Sequence, residues 1–229
     1  VLMVSLLSIS SFAANENYLT FEFNQNNTEY IVAKCNTRTI GEVVIPDVYN
    51  GFPVTKIGTD AFLNCKRVTS IIIPNSITYI DEYAFRNCVG LTSLEIPDSV
   101  IDIGKYAFSN CSKLTSIKIG AGLTNIGSYT FSNCNGLTSI TVPNGIETID
   151  DYAFYNCSSL KVVEICDSVS EIKQFAFASC EDLQYVAFGS SLHTIGNQAF
   201  SESGLTNVNI PDNIINIGNE AFAKCNITN

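Results

Sequence analysis

The sequence predicts an α/β solenoid with a parallel β-sheet on one face, and two features of the chain support this fold. The first is a spacing of 23 residues, and once of 22, between the phenylalanines Phe62, Phe85, Phe108, Phe131, Phe154, Phe177, Phe200 and Phe222. The second is a pair of motifs that accompanies them, a strand pattern L-x-x-L-x-I-P and a return pattern I-G-x-x-A-F-x-N-C. A fixed period of this length indicates stacked units that cannot bury their apolar faces alone.

One repeat shows how each unit is expected to fold. In residues 91–96 the pattern predicts a short strand, which Pro97 ends because proline lacks a backbone donor. Gly104 is expected to take a positive φ, which most residues avoid. Residues 106–111 are too few for a stable α-helix and are predicted to form a single helical turn. Each coil would then carry a strand on one face and a short turn with a one-turn helix on the other.

Three segments are predicted along the chain. Residues 1–13 are apolar with interspersed serines, which is typical of a secretory signal peptide whose basic start is missing; a buried strand is the alternative. Residues 15–56 are predicted to hold a capping β-hairpin and a first strand. Residues 57–229 are predicted to be repeats, and either the chain is a fragment or its last coil stays open.

Seven of the nine cysteines occupy one position of the repeat: Cys65, Cys88, Cys111, Cys134, Cys157, Cys180 and Cys225. Such a column directs every sulfur into the same part of the core, so buried thiols are expected rather than disulfides, whose dihedral angle parallel side chains do not favour. Zinc is the alternative, but the sequence has no C-x-x-C pair and only one histidine. Cys35 and Cys166 lie outside the column and are expected to react sooner with thiol reagents.

The overall charge excludes two classes of partner. The formal net charge is −10 and the 12 basic residues form no stripe, so neither nucleic acid nor an anionic membrane surface is an expected ligand. The apolar N-terminal run is too short to cross a bilayer of about 30 Å. No membrane insertion of the mature part is therefore expected.

The strand motif, the return motif and the 23-residue step resemble the BspA-like class of leucine-rich repeat proteins over about three quarters of the chain. The resemblance implies a curved, horseshoe-like leucine-rich repeat solenoid. It also implies a secreted or cell-surface location in a host-associated microbe, with adhesion as one known role. The implied partner is a protein or glycoprotein, such as a component of the host extracellular matrix.

The outward positions of the predicted strands are the candidate binding surface. Serine fills one outward column in the early repeats, and larger or more apolar side chains replace it later. An exposed aromatic residue on such a face is a plausible anchor for a partner, although it could also merely cover the sheet. The candidate partner-binding residues are Val162, Glu164, Tyr185, Ala187, Glu95 and Lys118.

The sequence offers no convincing catalytic, cofactor or metal site. His193 has no nucleophile or orienting group in its motif. Glu95 and Glu164 are three coils apart, about 14 Å at the usual strand spacing, whereas glycoside hydrolysis needs carboxylates about 5 to 9.5 Å apart. The sequence therefore predicts a non-catalytic macromolecule-binding module. A structural spacer within a larger surface protein is the alternative, and self-association through an open C-terminal coil is also expected if that edge is unpaired.

Overall fold

The computed structural model describes residues 18–228, which form a β-solenoid whose coils stack along one axis. The predicted signal segment, residues 1–13, lies outside the described residues. The strands are β1 (Leu19–Phe23), β2 (Tyr30–Cys35), β3 (Gly41–Val44), β4 (Val48–Tyr49), β5 (Phe52–Ile57), β6 (Val68–Ile72), β7 (Tyr79–Ile80), β8 (Ser93–Glu95), β9 (Asp102–Ile103), β10 (Ser116–Lys118), β11 (Asn125–Ile126), β12 (Ser139–Val142), β13 (Thr148–Ile149), β14 (Val162–Ile165), β15 (Glu171–Ile172), β16 (Tyr185–Ala187), β17 (Thr194–Ile195) and β18 (Asn216–Ile217).

The L-x-x-L-x-I motifs form parallel strands on one face, as the sequence predicts. We call this the front sheet; it pairs β3 with β6, β8 with β10, β12 with β14, and β14 with β16. Pairing is in register from coil to coil, so that Leu94 lies beside Ile117 and Val163 beside Val186. The inward residues are buried and the outward ones are largely exposed, because successive side chains of a strand point to opposite faces.

A second parallel ladder, which the sequence analysis did not predict, runs along the coils beside the front sheet. Apart from the six-residue β5 it consists of two-residue strands, in the orders β5-β7-β9 and β11-β13-β15-β17-β18. From β7 to β17 the second residue of each strand is a buried, inward isoleucine, such as Ile80 or Ile149, whereas Ile217 of β18 is exposed. The short Thr-x-Ile or Tyr-Ile segments were too brief to be recognised as strands from their pattern.

The predicted one-turn helices are not formed, and the described residues contain no α-helix. The return segments bond between coils: the N–H of Phe85 donates to the carbonyl of Ala107 at 2.7 Å, and that of Asn87 to Ser109 at 2.9 Å. Two left-handed residues per coil, such as Tyr83 and Asn87 with φ of 59° and 62°, interrupt any helical run. Stacking thus satisfies alternate backbone N–H groups of the return segment, while those between them bond within the turn, as Arg86 does to Tyr83 at 2.9 Å. The fold is therefore all-β rather than α/β.

The expected positive φ at Gly104 is also wrong, since the left-handed residue in that coil is Tyr106. Glycine is required at position 104 for another reason. A Cβ atom there would lie 2.3 Å from the backbone nitrogen of Glu82 in the preceding coil. The glycine therefore permits close approach of two backbones.

A hairpin of β1 and β2 precedes the first coil, and β2 joins the stack by pairing in parallel with β5. The neighbouring β4–β5 hairpin places two further rings, Tyr49 and Phe52, against it. Phe21 stacks on Tyr49, and within the first hairpin Phe23 stacks on Tyr30, each with centroids 4.1 Å apart. Phe21 and Tyr49 also pack against the buried core at this end of the stack.

The repeated phenylalanines form the centre of the core. From Phe62 to Phe200 they are fully buried or nearly so, and neighbouring rings stack with centroids 4.8 to 5.4 Å apart. Phe222, in the last described coil, is only half-buried. The core is thus a column in which each inner ring is covered by one neighbour on either side.

The cysteine column lies beside the rings, and all nine cysteines are free thiols. From Cys88 onward each column sulfur donates a hydrogen bond to a phenylalanine carbonyl of the preceding coil, over 3.1 to 3.4 Å. Burial raises the pKa of Cys88 to about 12 and that of Cys134 well above its ordinary value. Cys35, which lies outside the column, is buried too, and a hydrogen bond with Cys65 lowers its pKa.

Thiol labelling of the native protein should follow this burial. The six column thiols from Cys65 to Cys180 should stay unlabelled by a maleimide until the protein unfolds, because the reactive thiolate is suppressed and the reagent has no access. Cys166 and Cys225, which are partly exposed, should react first. Mass spectrometry of peptides after timed labelling measures the order. Rapid labelling of several column cysteines in the folded state would contradict the stacked core.

Candidate functional site

Four of the six candidate residues lie together on two neighbouring strands of the front sheet. The register of β14 and β16 places Val162 beside Tyr185 and Glu164 beside Ala187. Tyr185 is 56% exposed, and Val162 and Ala187 are half-buried. These four residues form one mixed patch, which we call the Tyr185 patch. It offers an aromatic ring, aliphatic surface and one carboxylate to solvent.

The other two candidates, Glu95 and Lys118, lie on β8 and β10 and pair with each other. The Lys118 ammonium is 2.5 Å from the Glu95 carboxylate, and this hydrogen bond raises the pKa of Lys118. Both side chains are exposed and border a shallow depression that also includes Ile72. Strand β12 comes between this ion pair and the Tyr185 patch, so the structure does not join the two groups into one site. An exposed pair of this kind contributes little to stability.

From β6 to β12 one outward column of the front sheet is small and polar. It consists of Ser70, Ser93, Ser116 and Ser139. At β12 and β14 the hydroxyl of Thr141 donates to the Glu164 carboxylate at 3.0 Å. Tyr185 is therefore the one large aromatic side chain on the described front sheet.

The described residues show no arrangement typical of catalysis or metal binding. No group of three or more His, Cys, Asp or Glu side chains within residues 18–228 could hold a metal ion. Glu95 forms an ion pair with Lys118, and Glu164 lies three coils further along the stack. In the part of the chain that the structure describes, no helix is long and apolar enough to span a membrane.

The sequence analysis missed a second surface feature, on the return segments. Five aromatic rings stack there with centroids 4.4 to 5.3 Å apart, and we call them the tyrosine ladder: Tyr83, Tyr106, Tyr129, Tyr152 and Phe175. All five are half-buried, and burial together with the neighbouring rings raises the pKa of Tyr129 to about 12. The signal was visible in the sequence as a recurrence every 23 residues.

A ladder of asparagine amides runs near these rings. Asn110 donates its side-chain amide to Asn87, and Asn156 donates to Asn133, at 2.9 and 2.8 Å. Each of these asparagines has a positive φ, a conformation that asparagine tolerates better than most residues. Their role is to hold the turns together, although Asn110 and Asn156 also begin Asn-x-Ser triplets.

Comparison with known proteins agrees with this architecture. The family described as BspA type Leucine rich repeat region (6 copies) matches residues 35–143 and 124–229. The chain is similar to the crystal structure of the T. pallidum leucine-rich repeat protein, with 26% identity, a TM-score of 0.75, and coverage of 81% of this chain and 86% of that one. No curated protein matches the chain.

Two further solved structures are similar over most of this chain. A leucine-rich cell surface protein from Faecalibacterium prausnitzii A2-165 is 29% identical, with a TM-score of 0.66 and coverage of 92% of this chain and 52% of that one. A leucine-rich repeat protein from Eubacterium ventriosum shares the fold, at 24% identity, a TM-score of 0.74, and coverage of 87% and 55%. This chain thus spans about half the length of these two proteins.

Leucine-rich repeat proteins are generally non-catalytic protein-interaction modules. The family match extends over more than half of the chain and covers the same residues that form the stacked coils. The 23-residue motifs, the parallel front sheet and this match agree with one another. The chain therefore belongs to the BspA-type leucine-rich repeat family.

Proposed function

We propose that this chain is the binding module of a secreted or cell-surface protein and that it adheres to a protein or glycoprotein, such as one of the host extracellular matrix. The cell-surface description of the similar F. prausnitzii protein supports the location. The interaction role general to the family supports the activity. In this proposal residues 15–56 act as the cap and residues 57–229 as the repeat region.

The observation that carries the proposal is the break in the outward column of the front sheet. Stacking requires nothing of these outward side chains, yet the serines of the early coils give way to Val162 and then Tyr185. A tyrosine supplies a large apolar surface and a hydroxyl at low entropy cost, and such residues are enriched in binding hot spots. The Tyr185 patch is thus the part of this sheet best suited to anchor a partner.

Tyr185→Ala should weaken binding to a matrix glycoprotein by about 1 to 3 kcal/mol, or roughly 5-fold to 150-fold in Kd, because the anchor's buried contact area is lost. Surface plasmon resonance against a panel of purified extracellular-matrix glycoproteins would measure the change. The matched control is Ser93→Ala, which lies in the same outward column and should have almost no effect. If both variants bind like the unmodified protein while a variant on the return segments loses binding, the front sheet is not the site.

The second candidate function is that of a structural spacer within a larger surface protein. It is favoured by the fact that this chain spans about half the length of the F. prausnitzii protein, so that related repeats occur within a longer chain. A spacer would show no binding to any member of the panel.

Self-association through the last described coil has its own support. Ile215, directly before β18, and Ile217, within it, are 81% and 47% exposed, and β18 pairs only with β17 among the described strands. An unpaired strand edge with apolar side chains is a template for another strand. Sedimentation analysis of an Ile215→Lys variant separates this contact from others, since the added charge should abolish it.

A further inference from the structure

The tyrosine ladder borders a groove on the return segments, away from the front sheet. Its second wall is formed by the residue that precedes each ring, and we call this wall the flanking row: Glu82, Lys105, Ser128, Asp151 and Gln174. These side chains are exposed or half-buried. Lys105 and Asp151 have no ion-pair partner within residues 18–228. The groove thus presents charged side chains that form no direct ion pair beside the aromatic rings.

The rings are not needed for the turn itself. Five consecutive coils carry an aromatic residue at this position, whereas the coils on either side carry Asp60, Gln198 and Glu220. All eight residues adopt a similar left-handed conformation, with φ between 53° and 59°. Non-aromatic residues therefore serve the backbone equally well, and the aromatic run indicates a role at the surface.

We propose that the tyrosine ladder and the flanking row form an interface with a second copy of this chain, packed antiparallel about a twofold axis through the coil of Ser128 and Tyr129. Charge complementarity is the first argument. The axis exchanges the second and fourth coils, so Lys105 faces the partner's Asp151, and Asp151 faces the partner's Lys105. Glu82 faces the partner's Gln174, and Ser128 faces its own symmetry mate. No like charges meet, and two opposite pairs form, as an isologous interface requires.

Shape complementarity is the second argument, and it concerns another row of side chains. This row lies three residues after each ring of the tyrosine ladder and consists of Arg86, Ser109, Ser132, Tyr155 and Ala178. Arg86 lies over the rings of Tyr83 and Tyr106, and Tyr155 packs edge-on against Tyr152, so this row adjoins the ladder.

The same axis pairs large side chains of this row with small ones. Arg86 faces the partner's Ala178, and Tyr155 faces the partner's Ser109. Ser109, Ser132 and Ala178 are small and each buried to 97% or more, whereas Arg86 and Tyr155 are large and half-buried. Each large side chain of this row thus meets a small one, as close packing across an interface requires.

The spacing is the third argument for a second copy rather than another partner. Neighbouring rings are 4.4 to 5.3 Å apart along five coils, a step set by the stacking of β-strands. Another stack of such coils repeats at the same step and stays in register along the whole groove. The contact spans about 19 Å, four strand spacings, so the dimer should be weak and depend on concentration and salt.

Charge exchange tests the interface by sedimentation velocity over a concentration series. The unmodified protein should dimerise, and Lys105→Glu and Asp151→Lys should each weaken the dimer by at least about tenfold, since each places like charges opposite each other twice. An equimolar mixture of the two variants should dimerise again, because every facing pair is then opposite in charge. The double variant should also recover the dimer.

The controls separate this surface from the others. Lys161→Glu makes the same charge change on an exposed residue next to β14 and should leave the dimer unchanged, as should Ile215→Lys in the last coil. Thermal unfolding shows that each variant is folded. The inference is overturned if the unmodified protein is monomeric at its highest soluble concentration, if Lys105→Glu dimerises normally, or if the mixture stays monomeric. It does not depend on a partner at the Tyr185 patch, whose binding assay is read separately.

Discussion

Phe131→Ala is expected to lower the free energy of unfolding by about 3 to 5 kcal/mol. Phe131 is 1% exposed and stacks between Phe108 and Phe154, with centroids 5.4 and 5.3 Å away. Removing the ring leaves a cavity with a neighbouring ring on both sides, and the return segments that hold those rings are fixed by cross-coil hydrogen bonds. The site therefore cannot collapse readily. Urea denaturation followed by circular dichroism measures the loss.

Phe222→Ala is the matched control, because it removes the same ring from the last described coil. Phe222 is half-buried and stacks on Phe200 alone among the described rings. The loss should be clearly smaller than at Phe131, as nearest-neighbour stacking requires. Equal losses at the two positions would contradict a column in which each ring depends on its neighbours.

Gly104→Ala should lower the free energy of unfolding by about 3 kcal/mol, the largest expected loss after that of Phe131→Ala. The added methyl group would lie 2.3 Å from the backbone nitrogen of Glu82 and 2.7 Å from the carbonyl carbon of Asp81. Both atoms belong to the backbone, so no rotamer change relieves the clash and the two coils must separate. Thermal or chemical unfolding of the variant measures the cost.

Gly127→Ala tests whether this cost comes from the clash or from the loss of glycine as such. Gly127 occupies the same repeat position one coil later, but its added Cβ would meet the Ile103 carbonyl oxygen and the Thr130 hydroxyl at 3.1 and 3.2 Å. Small shifts can accommodate those distances, so the loss should be much smaller. If both substitutions cost the same, close approach of the coils is not the reason for glycine at position 104.

The period and the buried columns could be predicted from sequence because they depend on side chains that recur at fixed spacing. Leu94, Phe108 and Cys111 all lie in the core where the pattern places them. Stacking forces equivalent positions into equivalent environments, so a single repeat contains most of the information about the core. The parallel front sheet follows from the same argument.

The return segments could not be predicted from local propensity. Residues 106–111 contain alanine and aromatic residues that are compatible with one helical turn, but alternate backbone N–H groups there bond to the next coil, as Phe108 does to Thr130. That choice depends on contacts between residues 23 apart, which a local pattern does not show. The positive φ at Tyr106 follows from the same tertiary constraint. The left-handed residue therefore lies two positions after Gly104, where the sequence predicted it.

The candidate site was only partly accessible to sequence reasoning. The alternation of the strands correctly placed Tyr185 and Val162 on the outer face, side by side. It also grouped Glu95 and Lys118 with them, although these two pair with each other on other strands. The tyrosine ladder was overlooked because its rings were assigned to a helical turn rather than to a column along the stack.

Hydrogen exchange of the protein with and without a bound matrix glycoprotein tests most directly the central claim, that the front sheet binds a partner at the Tyr185 patch. If the claim is correct, protection on binding should be largest in peptides that contain β14 and β16, and small around β8 and at the tyrosine ladder. Protection confined to the return segments or to the second parallel ladder, with β14 and β16 unchanged, would contradict it.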